Sequence, residues 1–218
     1  MRGFFSAKLI KSTKVHSIMY KSTLSQTEEN ILGFLLNNLG KEYSIREIAT
    51  AIGQDYKIVF TMVQHLTKSN LVIVKRVSNI NRCSAAISKR NASVFAYVGE
   101  RYAQKILPRR IDNALGEAIR GISQPFYSFL VFGSYAKGSA KPTSDIDVMI
   151  VSNDKNQEDM FVEIKKASTL NNLKINPVFL TLKEFQSALK EPSVAKEAYD
   201  KHLVIYGGES FYNLIADD

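Results

Sequence analysis

Gly133-Ser134-Tyr135-Ala136-Lys137-Gly138, followed five residues later by Ser144-Asp145-Ile146-Asp147, is the stretch whose reading decides the C-terminal fold. Phe129–Phe132 before it and Asp147–Val151 after it are apolar runs of strand length. So few residues separate them that a tight connection is expected rather than a helical crossover. Gly133 allows the backbone to approach a phosphate group closely, and the amides that follow it, with the Ser134 hydroxyl, can hold the oxygens of a triphosphate. Asp145 and Asp147 are two apart at a strand, so their carboxylates project from the same face. Two carboxylates so placed can hold a pair of divalent cations, which in-line phosphoryl displacement uses at a separation of about 3.5–4 Å.

Downstream, Gln157 to Asn171 reads as an amphipathic helix and Ile175 to Leu182 as a third strand. Val194–Tyr199 is helical, Leu203–Tyr206 is apolar, and Phe211, Tyr212, Leu214 and Ile215 form a final packing helix. The order of elements predicts helices packed against a mixed sheet, in an α+β arrangement.

The segment GSYAKGSAKPTSDID resembles the signature G-S-x-A-x-G-x5-S-D-x-D of the DNA polymerase beta-like nucleotidyltransferase superfamily, and most closely its small, minimal branch. The resemblance covers about residues 110–182. It implies that Gly133, Ser134, Lys137 and Ser144 bind the nucleotide and that Asp145 and Asp147 are catalytic ligands of Mg2+ or Mn2+. It further implies transfer of a nucleoside monophosphate, AMP above all, from a nucleoside triphosphate to a hydroxyl of a small molecule or a partner protein, some members modifying a toxin-like partner. The family usually adds a third catalytic carboxylate on the next strand. Here that place reads Lys174-Ile175-Asn176-Pro177-Val178, and Asn176 stands where aspartate is expected. An asparagine carbonyl can ligate a metal, but it brings no negative charge and cannot act as a general base at neutral pH. Glu184 and Glu163 are the alternative carboxylates. Three readings stay open: a magnesium-dependent nucleotidyltransferase, a DNA-binding regulator whose nucleotidyltransferase domain only binds nucleotide or a partner, and an RNA-directed transferase.

The N-terminal half has a different character. Ser25-Gln-Thr-Glu28 and Ser44-Ile-Arg-Glu47 are both capping boxes, and each predicts a helix start. The first helix carries Ile31, Leu32, Leu35, Leu36 and Leu39 at helical spacing; the second is short and ends at Gly53. A third helix, capped by Asp55, is expected to bury Ile58, Val59, Met62, Val63 and Leu66 and to present Lys57, Thr61, Gln64 and Lys68 outward. His65 is expected to pack near the buried stripe. Residues 71–77 and 82–88 can pair as a hairpin around Ser78–Asn81. This order resembles the winged helix-turn-helix domains of prokaryotic regulators, over about residues 24–90. The resemblance implies duplex DNA as partner, with Lys57, Thr61, Gln64 and Lys68 on the recognition helix and Lys75, Arg76 and Arg82 on the wing, and a homodimer on two-fold sites.

Charge separates the halves. Residues 1–110 hold 18 basic and 6 acidic residues, net +12; residues 111–218 hold 11 and 15, net −4, for a total of +8. A basic half of this size fits a polyanion. The single cysteine excludes an intramolecular disulfide framework, and no apolar run approaches a membrane span. A cytoplasmic protein with no membrane partner is expected, organised as a basic arm (1–23), a winged helix-turn-helix (24–91), a linker helix (92–109) and a nucleotidyltransferase domain (110–218).

Overall fold

The computed structural model describes residues 24–124, 127–153 and 157–216; the expected basic arm lies outside them. Ser25 and Ser44 each form the capping box, side chain to the N3 amide and glutamate back to the cap, and open α1 (Gln26–Asn37) and α2 (Ile45–Ile52). Gly53 ends α2 in the left-handed region at φ 66°, where a side chain would be strained. Asp55 then accepts from the Lys57 amide and starts α3 (Tyr56–Lys68). β1 (Tyr43–Ser44), β2 (Val72–Val77) and β3 (Ile80–Ala85) form an antiparallel sheet in the order β1-β3-β2, and β2–β3 is a hairpin turning through Ser78–Asn79. Helix, short strand, helix, turn, helix and hairpin are the winged helix-turn-helix arrangement.

Two residues of α3 depart from expectation. Ile58 is 47% exposed beside exposed Tyr56, so the buried stripe is carried by Val59, Val63 and Leu66. His65 is not a packing residue. Its ring is more than half exposed and lies 4.0 Å from Glu28, because it follows Gln64 onto the outer face.

α4 (Ala92–Ile106) and α5 (Arg109–Gly121) flank Pro108 as the proline predicts. The C-terminal sheet runs β6-β5-β4-β7, with β4 (Tyr127–Phe132) antiparallel to both β5 (Ile146–Ser152) and β7 (Leu203–Tyr206), and β5 parallel to β6 (Ile175–Thr181). The tight β4–β5 connection holds one short helix, α6 (Gly133–Lys137). α7 (Glu158–Leu170) supplies the crossover between the parallel strands, and α8 (Leu182–Ala188), α9 (Val194–Asp200) and α10 (Gly208–Ile215) complete the chain.

Alternation along the strands sorts the core into two layers. Phe129, Val131, Val148 and Ile150 pack with Ile111, Leu115, Met160 and Ile164 of α5 and α7. Leu130, Phe132, Met149 and Val151 face the opposite way and join a cluster that runs through Phe95, Phe211 and Tyr212 to Ile31, Leu35 and Val63 of the N-terminal half. α4 is therefore more than a connector: Val94, Phe95 and Val98 bury into a core shared by both halves. Asn37 and Gly40 add hydrogen bonds across the same seam, to the carbonyls of His202 (2.6 Å) and Asp200 (3.1 Å). Among the described residues no helix is long and apolar enough to cross a membrane.

Candidate active site and nucleic-acid interface

Both turn glycines are demanded by the backbone: Gly133 has φ +67° and Gly138, which ends α6, has φ +71°. At Gly133 a Cβ would also collide with the Asp147 carboxylate, so the turn lies directly against that side chain. Ser134 accepts through its carbonyl from Ser139 N–H at 3.0 Å, which closes the turn. Its half-buried hydroxyl has no protein partner among the described residues, which leaves it available to a phosphate oxygen. Ser144, by contrast, is used by the loop itself, its Oγ accepting from Lys141 N–H at 2.9 Å. Lys137 reaches Glu197, Nζ to Oε1 at 2.6 Å.

The two aspartates come close together, although only Asp147 lies on the strand. Asp147 is on β5, directly opposite Asn176 in the parallel register with β6, while Asp145 precedes the strand beside Lys174. Asn176 Nδ2 lies 3.4 Å from both Asp145 Oδ2 and Asp147 Oδ1, bridging the carboxylates at the limit of hydrogen-bond distance. Lys174 Nζ stands 2.5 Å from Asp145 Oδ2. That hydrogen bond, then the one from Asn176 and the lysine's charge, hold the Asp145 carboxyl below its ordinary pKa. Asn176 is thus the third side chain of this group. The two alternative carboxylates are engaged elsewhere: Glu184 caps α8 by accepting from the Thr181 amide at 2.7 Å, and Glu163 pairs with Lys166 beside Gly121.

The donor set suits a hard divalent cation, since only oxygens converge: two carboxylates, and the Asn176 amide oxygen once its side chain turns over. It falls one anion short of a full two-metal site. Among the described residues no cluster of three or more His, Cys, Asp or Glu side chains converges.

Residues 116–205 match the family model described as the nucleotidyltransferase domain. The C-terminal half carries a nucleotidyltransferase domain. Its match spans the sheet from before β4 to β7 and contains the glycine turn, both aspartates and Asn176. Among solved structures the chain is similar to a homodimeric winged helix-turn-helix DNA-binding domain from Mycobacterium bovis, described as a possible ArsR-family transcriptional regulator. The two are 20% identical, with 49% of this chain and 93% of that one covered and a TM-score of 0.32. None of the curated proteins matches the chain.

On the N-terminal half, Lys57, Thr61, Gln64 and Lys68 all lie exposed on α3. The Thr61 hydroxyl donates to the Lys57 carbonyl at 3.0 Å, so its methyl is the part free to meet a base edge. The wing is less open than its sequence suggests. Arg82 Nη1 is 2.9 Å from Glu47 and Lys75 Nζ is 3.6 Å from Glu42, so two of its three assigned cations carry internal counter-charges. Arg76 forms no ion pair among the described residues and faces the other side of the hairpin, opposite Asn81. Glu42 and Glu47 were not assigned a part in this surface by the sequence. Their signal was the β1–β3 pairing, which sets Ser44 opposite Arg82 and thereby brings Glu47, one helical turn on, within reach.

Proposed function

We propose that this chain binds a nucleoside triphosphate with a divalent cation at Gly133, Ser134, Asp145 and Asp147, and binds duplex DNA through α3 and the wing. We infer further that it works chiefly as a nucleotide-responsive DNA-binding regulator. The observation that carries the second statement is Asn176. It lies opposite Asp147 in the β5–β6 register, where the resemblance expects a third carboxylate, and it is neutral at every physiological pH. A cation held by Asp145 and Asp147, with Mg2+ or Mn2+ as the natural choice, would offset the charge of the phosphates. The chain's own residues then hold the nucleotide: Gly133 gives the backbone close approach, Ser134 donates a hydroxyl, and Lys137 supplies a positive charge if it exchanges Glu197 for a phosphate.

A second reading has its own support. Both aspartates are retained and Gly133 packs directly on Asp147, a geometry that a domain needing only to dock a partner would not require. On this reading the chain transfers a nucleoside monophosphate, AMP first among candidates, to a hydroxyl acceptor without general-base assistance, which is typically worth about 10²–10⁴-fold.

Pyrophosphate release with Mg2+ or Mn2+, measured with cell extract as a source of acceptor, separates the two. A regulator gives no turnover in the wild type or in Asn176→Asp while both bind nucleotide. A slow enzyme gives weak turnover that Asn176→Asp raises at least about tenfold with little change in nucleotide affinity, since a transition-state interaction is gained. Robust wild-type turnover that Asn176→Asp leaves unchanged would overturn the role given to Asn176.

A further inference from the structure

Lysines gather beside α6, the short helix that follows the glycine turn. β4 and β7 are antiparallel and their last pair is Val131 with Leu203, so Gly133 and Lys201 each lie two residues beyond the paired strands at the same end of the sheet. On the other flank of β4, Phe132 is opposite Asp147. The turn thus has the Asp147 carboxylate against it. Lys137 joins from α6: it pairs with Glu197, and the Lys201 N–H donates to the carbonyl of the same Glu197 at 3.1 Å. The third lysine comes from the N-terminal half. Gly40 N–H donates to the Asp200 carbonyl, and Gly40 packs so closely on the Asp200 side chain that a Cβ would overlap it, which sets Lys41 beside Lys201.

The charges of this cluster do not balance. Lys137 has Glu197 and Lys196 has Asp200, but Lys41 and Lys201 have no ion-pair partner among the described residues. Burial first, and then the neighbouring charges of Lys41 and Lys137, hold the Lys201 ammonium below its ordinary pKa. Like charges gathered without a counter-ion cost free energy that a bound polyanion would recover.

We propose that Lys41, Lys137 and Lys201 form a subsite for the terminal phosphates of a nucleoside triphosphate, with the winged-helix half supplying Lys41. Resting on the nucleotide site proposed above, this makes the phosphate chain a bridge between the halves: a triphosphate engages Lys41 and a monophosphate does not reach it. Occupancy is thereby transmitted to the α1–β1 loop that carries Lys41, and through α1 to the DNA-binding half.

Titration calorimetry of the full chain with ATP, AMP and inorganic tripolyphosphate, each with and without Mg2+, tests this. Lys41→Ala with Lys201→Ala should weaken ATP and tripolyphosphate at least tenfold and leave AMP unchanged, while Lys41→Arg retains most of the affinity. Unchanged ATP and tripolyphosphate affinity in the double variant would overturn the subsite while leaving the Asp145–Asp147 site standing. Tripolyphosphate binding that needs the lysines, alongside ATP binding indifferent to Asp145→Ala and Asp147→Ala, would overturn the nucleotide site and keep the subsite as a phosphate site. A double variant that loses duplex DNA but binds ATP as before would assign the lysines to nucleic acid and overturn the proposal. No triphosphate binding by the wild type would overturn both.

Discussion

The wing and the nucleotide site both hold an internal substitute where an external partner is expected, but the substitutes differ in kind. At the wing, Arg82 and Lys75 rest on Glu47 and Glu42, pairs that are exposed enough for solvent to screen them. Exposed ion pairs contribute about 0.2–1 kcal/mol, so phosphates can displace them with a modest loss of affinity. At the nucleotide site, Lys174 on Asp145 is likewise an exposed pair that can open. Asn176 is different, because a neutral amide beside the carboxylates carries no charge for a bound group to displace. The lesson is that a reversible counter-charge tunes binding, whereas a neutral side chain among the carboxylates limits which chemistry the group can support.

The largest loss is expected at the two carboxylates of the nucleotide site. Asp145→Ala with Asp147→Ala should reduce Mg2+-dependent nucleotide affinity by more than about 100-fold, because the cations that offset the phosphate charge lose both anionic ligands. Calorimetry at fixed nucleotide with Mg2+ present or chelated checks it. Magnesium-dependent affinity that survives in the double variant would mean that the glycine turn and the lysines bind phosphate without the aspartates.

Next in size is α3, whose lysines have no internal counter-charge among the described residues. Lys57→Glu with Lys68→Glu should weaken duplex DNA at least about tenfold and reduce the slope of log affinity against log salt by about 2, if each lysine releases roughly one counter-ion. Fluorescence anisotropy at several salt concentrations gives both quantities. An unchanged slope would move the DNA surface away from α3.

Much of this architecture was legible locally. The two serine capping boxes, the left-handed Gly53, the Pro108 break and the GS…SDID spacing are properties of neighbouring residues, and the structure realises each where the sequence puts it. That Asn176 lies opposite Asp147 is a property of the β5–β6 register. What the sequence did not disclose depends on contacts between distant segments. His65 and Ile58 look buried by periodicity, yet which edge of a helix stripe faces the core is decided by its neighbours. The shared core around α4, the bonds from Asn37 to His202 and from Gly40 to Asp200, and the Glu47–Arg82 pair link residues 35 to 165 positions apart, beyond any local pattern.

The seam between the compared regions offers a third test, at a charge with no substitute. Glu100 is partly buried on α4, accepts from Gly208 N–H at 3.1 Å and has no cationic partner among the described residues; desolvation raises its pKa to about 7. The folded state therefore keeps the proton that the unfolded state releases from about pH 4.5, so this group's contribution falls as pH rises from about 4.5 through 7. Buried His202, lowered to about 4, works oppositely and adds stability between about 4 and 6.5. Glu100→Gln keeps an acceptor for Gly208 and removes the charge. Denaturant unfolding should show the variant gaining on the wild type progressively from pH 4.5 to 7, by about 3 kcal/mol at pH 8. A constant difference across that range would show that Glu100 is solvated at the seam.

The mildest change is expected at Glu47, which touches the wing's counter-charge alone. Glu47 accepts from the Ser44 amide at 2.7 Å in the capping box that starts α2, and the same Oε2 holds Arg82. The Ser44 hydrogen bonds, ahead of Arg82, keep its carboxyl below the ordinary pKa, so the charge persists through the physiological range. Glutamine also completes a capping box, so Glu47→Gln leaves the helix start in place and removes only the counter-charge. Arg82 is then free to meet a phosphate. Duplex affinity should rise about two- to fivefold, the worth of an exposed ion pair, with a salt slope steeper by less than 1. Unchanged affinity at low salt would mean that Arg82 stays off the DNA and serves to hold the β1–β3 edge, leaving the recognition helix as the main cationic contact.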